Sequence, residues 1–199
     1  MPELPDLEAI QDFILAELTG VAVTEVLVLH PIPIRLPTPA EFGARLSGQT
    51  LQGVRRRGKF LLLDFSAGDT LAINPMLTGR FQYGAPGERR KPRTCFILRL
   101  DNGHDLRYFD SKLMGKCYLV GQGSEGQIPR WKEMGPEALD PEVTLDVFIR
   151  RLRRHPGQLK NILINDTFLA GIGNAYADEI LFAAALYPYR RRVSLTPQE

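Results

Sequence analysis

Asp166-Thr167-Phe168-Leu169-Ala170-Gly171-Ile172-Gly173-Asn174 is a polar and glycine-bearing break between two apolar runs. Residues 159–165 before it and 175–185 after it have the composition and spacing of helices, the second ending before Pro188. Two glycines allow a tight turn that exposes backbone N–H groups. Asn174 can cap the helix that follows. The segment therefore reads either as a plain interhelical turn or as a phosphate cradle. Backbone amides, a helix N-terminus and an amide side chain all favour an anion. A dinucleotide loop fits less well, since the full glycine spacing is missing and no strand precedes it.

Working outward, Thr144 can cap a further helix that reaches about Arg154 and is closed by His155-Pro156-Gly157. Upstream, residues 121–143 are rich in Gly and Pro and read as a linker. The division expected is 1–125, a linker at 126–143, and 144–199. The first part changes period. Strand-like runs are expected at 21–30, 50–57, 59–65, 70–74, 79–83, 94–100, 104–110 and 115–120. A short helix is expected at 40–46, a Pro-rich irregular connection at 31–39, and a hairpin turn at Asp101-Asn102-Gly103. Eight short strands at close spacing favour an antiparallel sandwich over a parallel sheet. The fold class is therefore α+β: an N-terminal helix and an eight-stranded antiparallel β-sandwich, then a helical domain.

That N-terminal helix starts almost at the first residue. Pro5 suits a first turn, Leu7, Ile10, Ile14 and Leu18 share a face, and Gly20 stops the run. Pro2 follows the initiator Met, and removal of that Met leaves a secondary amine at the helix front. Such an amine attacks a carbonyl to give an iminium directly. An α-amino group titrates near pH ~8 and a lysine near ~10.4, so its free-base fraction at neutral pH is up to ~100-fold larger. The helix dipole disfavours its charged form further. Glu3 beside it is a proton shuttle by position. An ordinary helix lead-in is the bland alternative on these residues alone.

Composition narrows the partners. The chain has 199 residues, 44% of them hydrophobic, enough for one large domain or two small ones. No apolar run approaches the ~20 residues of a membrane span, and the acidic start lacks a signal-peptide pattern. Cys95 and Cys117 make neither a metal site nor a disulfide framework, so a cytoplasmic protein with reduced thiols is expected. Net charge is only +2, yet the cations are grouped: Arg55-Arg56-Arg57 with Lys59, Arg89-Arg90-Lys91 with Arg93, Arg150 to Arg154, and Arg190-Arg191-Arg192. Grouped cations in a nearly neutral chain suggest a polyanion partner.

Pro2-Glu3-Leu4-Pro5, then Arg56-Arg57-Gly58-Lys59-Phe60-Leu61-Leu62-Leu63, then Leu159-Lys160, and finally 168–181 with Gly171-Ile172-Gly173-Asn174, occur in one order across the chain. In these pieces the chain resembles the formamidopyrimidine-DNA glycosylase / endonuclease VIII family of base-excision repair enzymes. The resemblance implies a β-sandwich followed by a helix–two-turn–helix domain. It implies a glycosylase with AP lyase activity that removes oxidised purines (8-oxoguanine, formamidopyrimidines) through a Schiff base on the N-terminal proline and β/δ-elimination. Pro2 is then the nucleophile, Glu3 the general acid/base, and Lys59 a phosphate contact beside the lesion. Lys160, Asn174, Gly173, Lys112 and Arg57 would contact DNA. Leu77, Leu113 and Met114, in the loops 74–79 and 110–115, would be the intercalating wedge. The implied partner is double-stranded DNA with oxidised bases or abasic sites, met by a monomer associated with the nucleoid.

The family pattern is not kept everywhere. Leu113-Met114 stand where an Arg-Phe pair is usual, and Asn74 and Leu77 where His and Met are. Asp6 replaces a usual Glu, one methylene longer. These changes keep open an oxidised-pyrimidine preference of the endonuclease VIII type, or a non-catalytic damaged-DNA-binding module. No residues here suit a metal, and no cofactor is expected in this chain. The family's structural zinc would lie in a further C-terminal segment. Thr196-Pro197-Gln198-Glu199 reads as a capping box, as if a helix started there and the chain were truncated.

Overall fold

A computed structural model describes residues 2–196 and Glu199. Pro197 and Gln198, the middle of the expected capping box, lie outside the described residues. Thr196 meets Glu199 Oε2 through its N–H at 2.9 Å and its hydroxyl at 3.0 Å. The chain forms two compact units: Met1–Arg56 with Phe60–Pro129, and Arg57–Lys59 with Arg130–Glu199.

The first unit opens with helix α1 (Leu4–Leu18), which buries Leu7, Ile14 and Leu18. Beyond its C-cap Thr19 the chain turns at Gly20, whose φ of +85° is open to glycine without strain. Among the described residues nine strands follow: β1 (Val23–Val28), β2 (Ile34–Leu36), β3 (Leu51–Arg57), β4 (Phe60–Phe65), β5 (Asp69–Asn74), β6 (Gly79–Gly84), β7 (Thr94–Leu100), β8 (Asp105–Asp110) and β9 (Lys116–Gly121). Helix α2 (Pro39–Leu46) sits between β2 and β3, its first turn closed by a Thr38/Glu41 capping box. One sheet has the order β1-β7-β8-β6, the other β2-β9-β5-β4-β3.

Alternation along these strands builds the core. Leu61, Leu63, Leu71 and Ile73 of one sheet, Phe96, Leu98, Leu106 and Tyr108 of the other, and Leu7 and Ile14 of α1 belong to one buried cluster. Each aliphatic or phenyl side chain so buried contributes about 1.5–3 kcal/mol. The eight expected strands are all present, within a residue or two at their ends. The ninth, β2, corrects the reading of 31–39 as irregular throughout. It is short and pairs parallel to β9, Ile34 opposite Cys117. Flanking prolines hide so brief a strand, and its partner is far away in sequence.

The second unit is helical: α3 (Leu145–Arg154), α4 (Leu159–Leu163) and α5 (Asn174–Ala183). Thr144 caps α3 by accepting from the Val147 N–H at 3.4 Å. Leu159, Ile162, Leu163, Phe168, Leu169, Ala177 and Leu181 form its core. One local expectation is corrected. Gly173, not Asn174, is the N-cap of α5, and Asn174 is the first helical residue. Asn174 is exposed.

Candidate active site and nucleic-acid interface

At the front of α1, Pro2 is buried and Glu3 is 3% exposed. Glu3 is the N-cap, and with Asp6 at the third helical position it forms a reciprocal capping box. The Glu3 N–H donates to Asp6 Oδ2 at 2.9 Å. The shorter Asp6 therefore still reaches the backbone it must hold, and it fixes the residue that carries Pro2. Behind them, Arg56 on β3 pairs with Glu8 at 3.4 Å. Cys95 and Cys117 are both buried and free. Burial pushes the Cys95 thiol up to about 11 and the Cys117 thiol well above its ordinary value. Neither is a nucleophile at neutral pH.

In the same unit the loops 74–79 and 110–115 are bound at their bases by one side chain. Asp110 is fully buried. Its Oδ1 accepts from the Thr78 hydroxyl and from the Lys112 N–H at 3.2 Å, and its Oδ2 from the Gly115 N–H at 2.6 Å. The Lys112 N–H also reaches Thr78 Oγ1 at 3.1 Å. In the first loop, Asn74 Oδ1 accepts from the Met76 N–H at 3.0 Å. Each loop holds one non-glycine residue in the left-handed region, Met76 at φ +49° and Leu113 at φ +53°. Such conformations persist where the surroundings impose them. Leu77 and Met114 stand out at 41% and 42% exposure, whereas Leu113 packs against the sandwich core.

In the second unit the polar break 166–173 is braced from several directions. Arg151 donates through Nε to the Phe168 carbonyl and through Nη2 to that of Thr167, each at 2.6 Å. The Gly135 N–H donates to Asp166 O at 2.8 Å, and Ala170 N–H to Pro136 O at 2.8 Å. Gly171 has φ +104°. The tip 57–59 belongs to this unit. Glu137 Oε1 accepts from Arg57 Nη1 at 2.7 Å and from the Gly58 N–H at 2.6 Å. Lys59 pairs with Asp166 at 3.0 Å and Lys160 with Asp178 at 2.7 Å. A helix N-terminus, an exposed Asn174 and two lysines held beside carboxylates thus lie in one unit. Among the described residues no group of His, Cys, Asp and Glu is arranged to hold a metal ion, and no helix is long and apolar enough to cross a membrane.

Residues 1–117 match the family model of the formamidopyrimidine-DNA glycosylase N-terminal domain, and residues 134–199 that of the formamidopyrimidine-DNA glycosylase H2TH domain. The chain belongs to the formamidopyrimidine-DNA glycosylase family. A formamidopyrimidine-DNA glycosylase from Pelotomaculum thermopropionicum is 38% identical over the whole of this chain, which covers 72% of that relative. One from Symbiobacterium thermophilum is also 38% identical, with 65% of its length covered. The solved complex of a Lactococcus lactis family member with a Fapy-dG-containing DNA superposes with a TM-score of 0.91 at 24% identity, covering 99% of this chain and 72% of that one.

As a family member, the chain brings some expected residues together and separates others. Pro2, Glu3, Leu77, Lys112, Leu113 and Met114 lie in the first unit, and Arg57, Lys59, Lys160, Gly173 and Asn174 in the second. Lys112 is exposed. Arg57, Lys59 and Lys160 are each held by a carboxylate. The residues that hold the glycosylase loops and turn in shape, Asp110, Thr78, Arg151 and Glu137, escaped sequence reasoning. Asp110 and Thr78 are 32 positions apart, and nothing local marks the pair. The one signal in the sequence was Asp110 itself, an acid at a strand end before a loop closed by Gly115.

Proposed function

We propose that this chain is a base-excision DNA glycosylase with AP lyase activity that removes oxidised purines, using Pro2 as its nucleophile. The observation that carries the reading is the front of α1, where Pro2 and Glu3 are buried together and locked by the Asp6 capping box. The curated relatives are named formamidopyrimidine-DNA glycosylases, which favours purines over the endonuclease VIII preference.

The chemistry requires the target nucleotide outside the stack, at a cost of a few kcal/mol. Leu77 and Met114 suit the gap that it leaves, as apolar wedges do elsewhere. The Pro2 amine, free once Met1 is removed, attacks C1′ and the glycosidic bond breaks. The base leaves with a proton, and the sugar ring opens to an iminium on Pro2. Glu3 protonates the ring oxygen and later removes sugar protons. β-Elimination then expels one phosphate and δ-elimination the other, and water releases Pro2. Lys59, Lys160 and Asn174 hold phosphates, the lysines exchanging carboxylate for phosphate.

Borohydride reduction on an 8-oxoguanine or abasic duplex should trap a covalent adduct, and Pro2→Gly should lose it. Absence of any adduct from protein with a verified free Pro2 would instead leave a damaged-DNA-binding module. A lesion panel in the same assay separates the purine from the pyrimidine reading.

A further inference from the structure

Of the four basic clusters, one is held up by a buried charge that no catalytic role uses. The segment 85–93 connects β6 to β7. Both strands pair antiparallel with β8, so they run parallel to one another, and the segment must return across β8. It has no helix to do so. Beneath it lies Arg107 of β8, with no exposed surface. Its guanidinium meets Asp105 Oδ2 through Nε at 3.1 Å and Nη2 at 2.8 Å. It also donates to the carbonyls of Ala85 at 2.7 Å, Pro86 at 3.2 Å and Glu88 at 3.1 Å. Gln82 bridges the Arg89 carbonyl at 3.2 Å and the Lys91 N–H at 3.4 Å. Thr94 Oγ1 donates to the Lys91 carbonyl at 2.7 Å.

The strap's carbonyls are thus turned inward and held, while Arg89, Arg90, Lys91 and Arg93 are exposed. Its one acid, Glu88, is engaged by the Ala85 N–H at 2.9 Å. Among the described residues none of these four cations makes an ion pair. Arg55, Arg56, Arg57 and Lys59 all do. Arg93 is moreover held at φ +58°, an unfavourable conformation for arginine. Its carbonyl accepts from the Asp110 N–H at 3.0 Å. Asp110 is the residue that binds the two loops, so the strap ends at their base.

We propose that the strap 85–93 is a second contact surface for DNA, taking backbone phosphates that flank the nucleotides met by Leu77 and Met114. The inference rests on the proposed DNA substrate. Its physical content is separate: exposed cations on a hydrogen-bonded strap, without ion pairs among the described residues, joined to the base of the loops and without a large apolar side chain to enter a membrane, fit a polyphosphate backbone. A held backbone also lowers the ordering cost of binding.

The test is the salt dependence of binding to an abasic-site duplex, for the full chain and for Arg89→Gln/Arg90→Gln/Lys91→Gln. Removing one cation that neutralises a phosphate should reduce the slope of log K against log salt by about 0.9. The triple variant is therefore expected to bind with a slope shallower by between about 0.9 and about 2.7. It should also lose the affinity that the wild type gains when a short duplex is lengthened. Arg89→Lys/Arg90→Lys should keep both, and an unchanged melting temperature shows that the substitutions did not unfold the strap. An unchanged slope overturns the proposal. Borohydride trapping on the same samples reads the enzyme separately. An adduct with an unchanged slope removes the strap and keeps Pro2. A reduced slope with no wild-type adduct keeps the strap and removes Pro2.

Discussion

Asp110 is a carboxylate sealed from water, and what keeps it there is the set of donors around it. A buried charge without partners costs several kcal/mol. Here the Thr78 hydroxyl and the N–H groups of Lys112 and Gly115 all point at it. Asp110→Ala would strand those donors in the same place. Each stranded donor costs about 1–3 kcal/mol, and relaxation of exposed loop backbone recovers part. The expected loss is about 2–4 kcal/mol in urea denaturation, with little change in m. Asp110→Asn should cost less, since its carbonyl oxygen keeps one side of the net. A loss under about 1 kcal/mol for the alanine variant would mean that the loops are not held by this carboxylate. Asp6 follows the same logic on a smaller scale. One oxygen at 2.9 Å from the Glu3 N–H is enough to fix a helix start, although the side chain is shorter than the family's usual one.

At the scale of elements, the two loops close against one tyrosine. The Tyr108 hydroxyl is buried and, among the described residues, has no hydrogen-bond partner. It lies over Gly79 and Gly115, which close the two loops, and a Cβ at either glycine would overlap it. The glycines differ in one respect. A Cβ at Gly79 would also stand 2.5 Å from the Pro75 carbonyl oxygen, whereas at Gly115 the other near atoms are Tyr108 Cζ at 3.0 Å and Asp110 Oδ2 at 3.1 Å. Gly79→Ala and Gly115→Ala should both destabilise, as overpacking of a close-packed site does by about 1–3 kcal/mol. Tyr108→Phe, which removes an unpartnered hydroxyl, should be near neutral. Combined with Gly115→Ala it should recover much of the loss, and combined with Gly79→Ala little. A double-mutant cycle by thermal denaturation measures both couplings. Equal rescue at the two positions would show that the tyrosine, not the backbone of the first loop, sets the limit at both. Elements with a local signal were legible in advance. The helix α1, the Thr144 cap and the alternating strands follow from neighbours within a few residues. Strand β2 was not legible, because three residues among prolines become a strand only against β9.

At the scale of the whole chain, the same division separates what could be read early from what could not. Pro2-Glu3 and Gly171-Ile172-Gly173-Asn174 could be picked out as candidates because each motif is contiguous. The cations did not sort themselves, since sequence shows their grouping but not their partners. Arg55, Arg56, Arg57 and Lys59 turn out to be paired with carboxylates, while Arg89, Arg90, Lys91 and Arg93 are exposed. Arg55 shows the consequence for stability. It reaches from β3 to Asp64 on β4 and to Glu125 in the 3-10 turn Glu125–Gln127, near the end of the first unit. Burial alone would raise the Glu125 carboxyl. The hydrogen bond from Arg55 and those from backbone N–H groups outweigh it, and its pKa is lowered from 4.5. A lowered folded-state value means that the unfolded chain binds the proton more readily. The stabilisation is therefore fully present above 4.5 and is lost as pH falls through the lowered value. Glu125→Gln should melt below the wild type near neutral pH, by a modest margin because Arg55 is partly solvated. That margin should close as pH falls below the ordinary carboxylate range. Melting temperatures of both proteins across the acid range test it, and a margin that stays constant or widens toward low pH would show that Glu125 is held by packing rather than by charge.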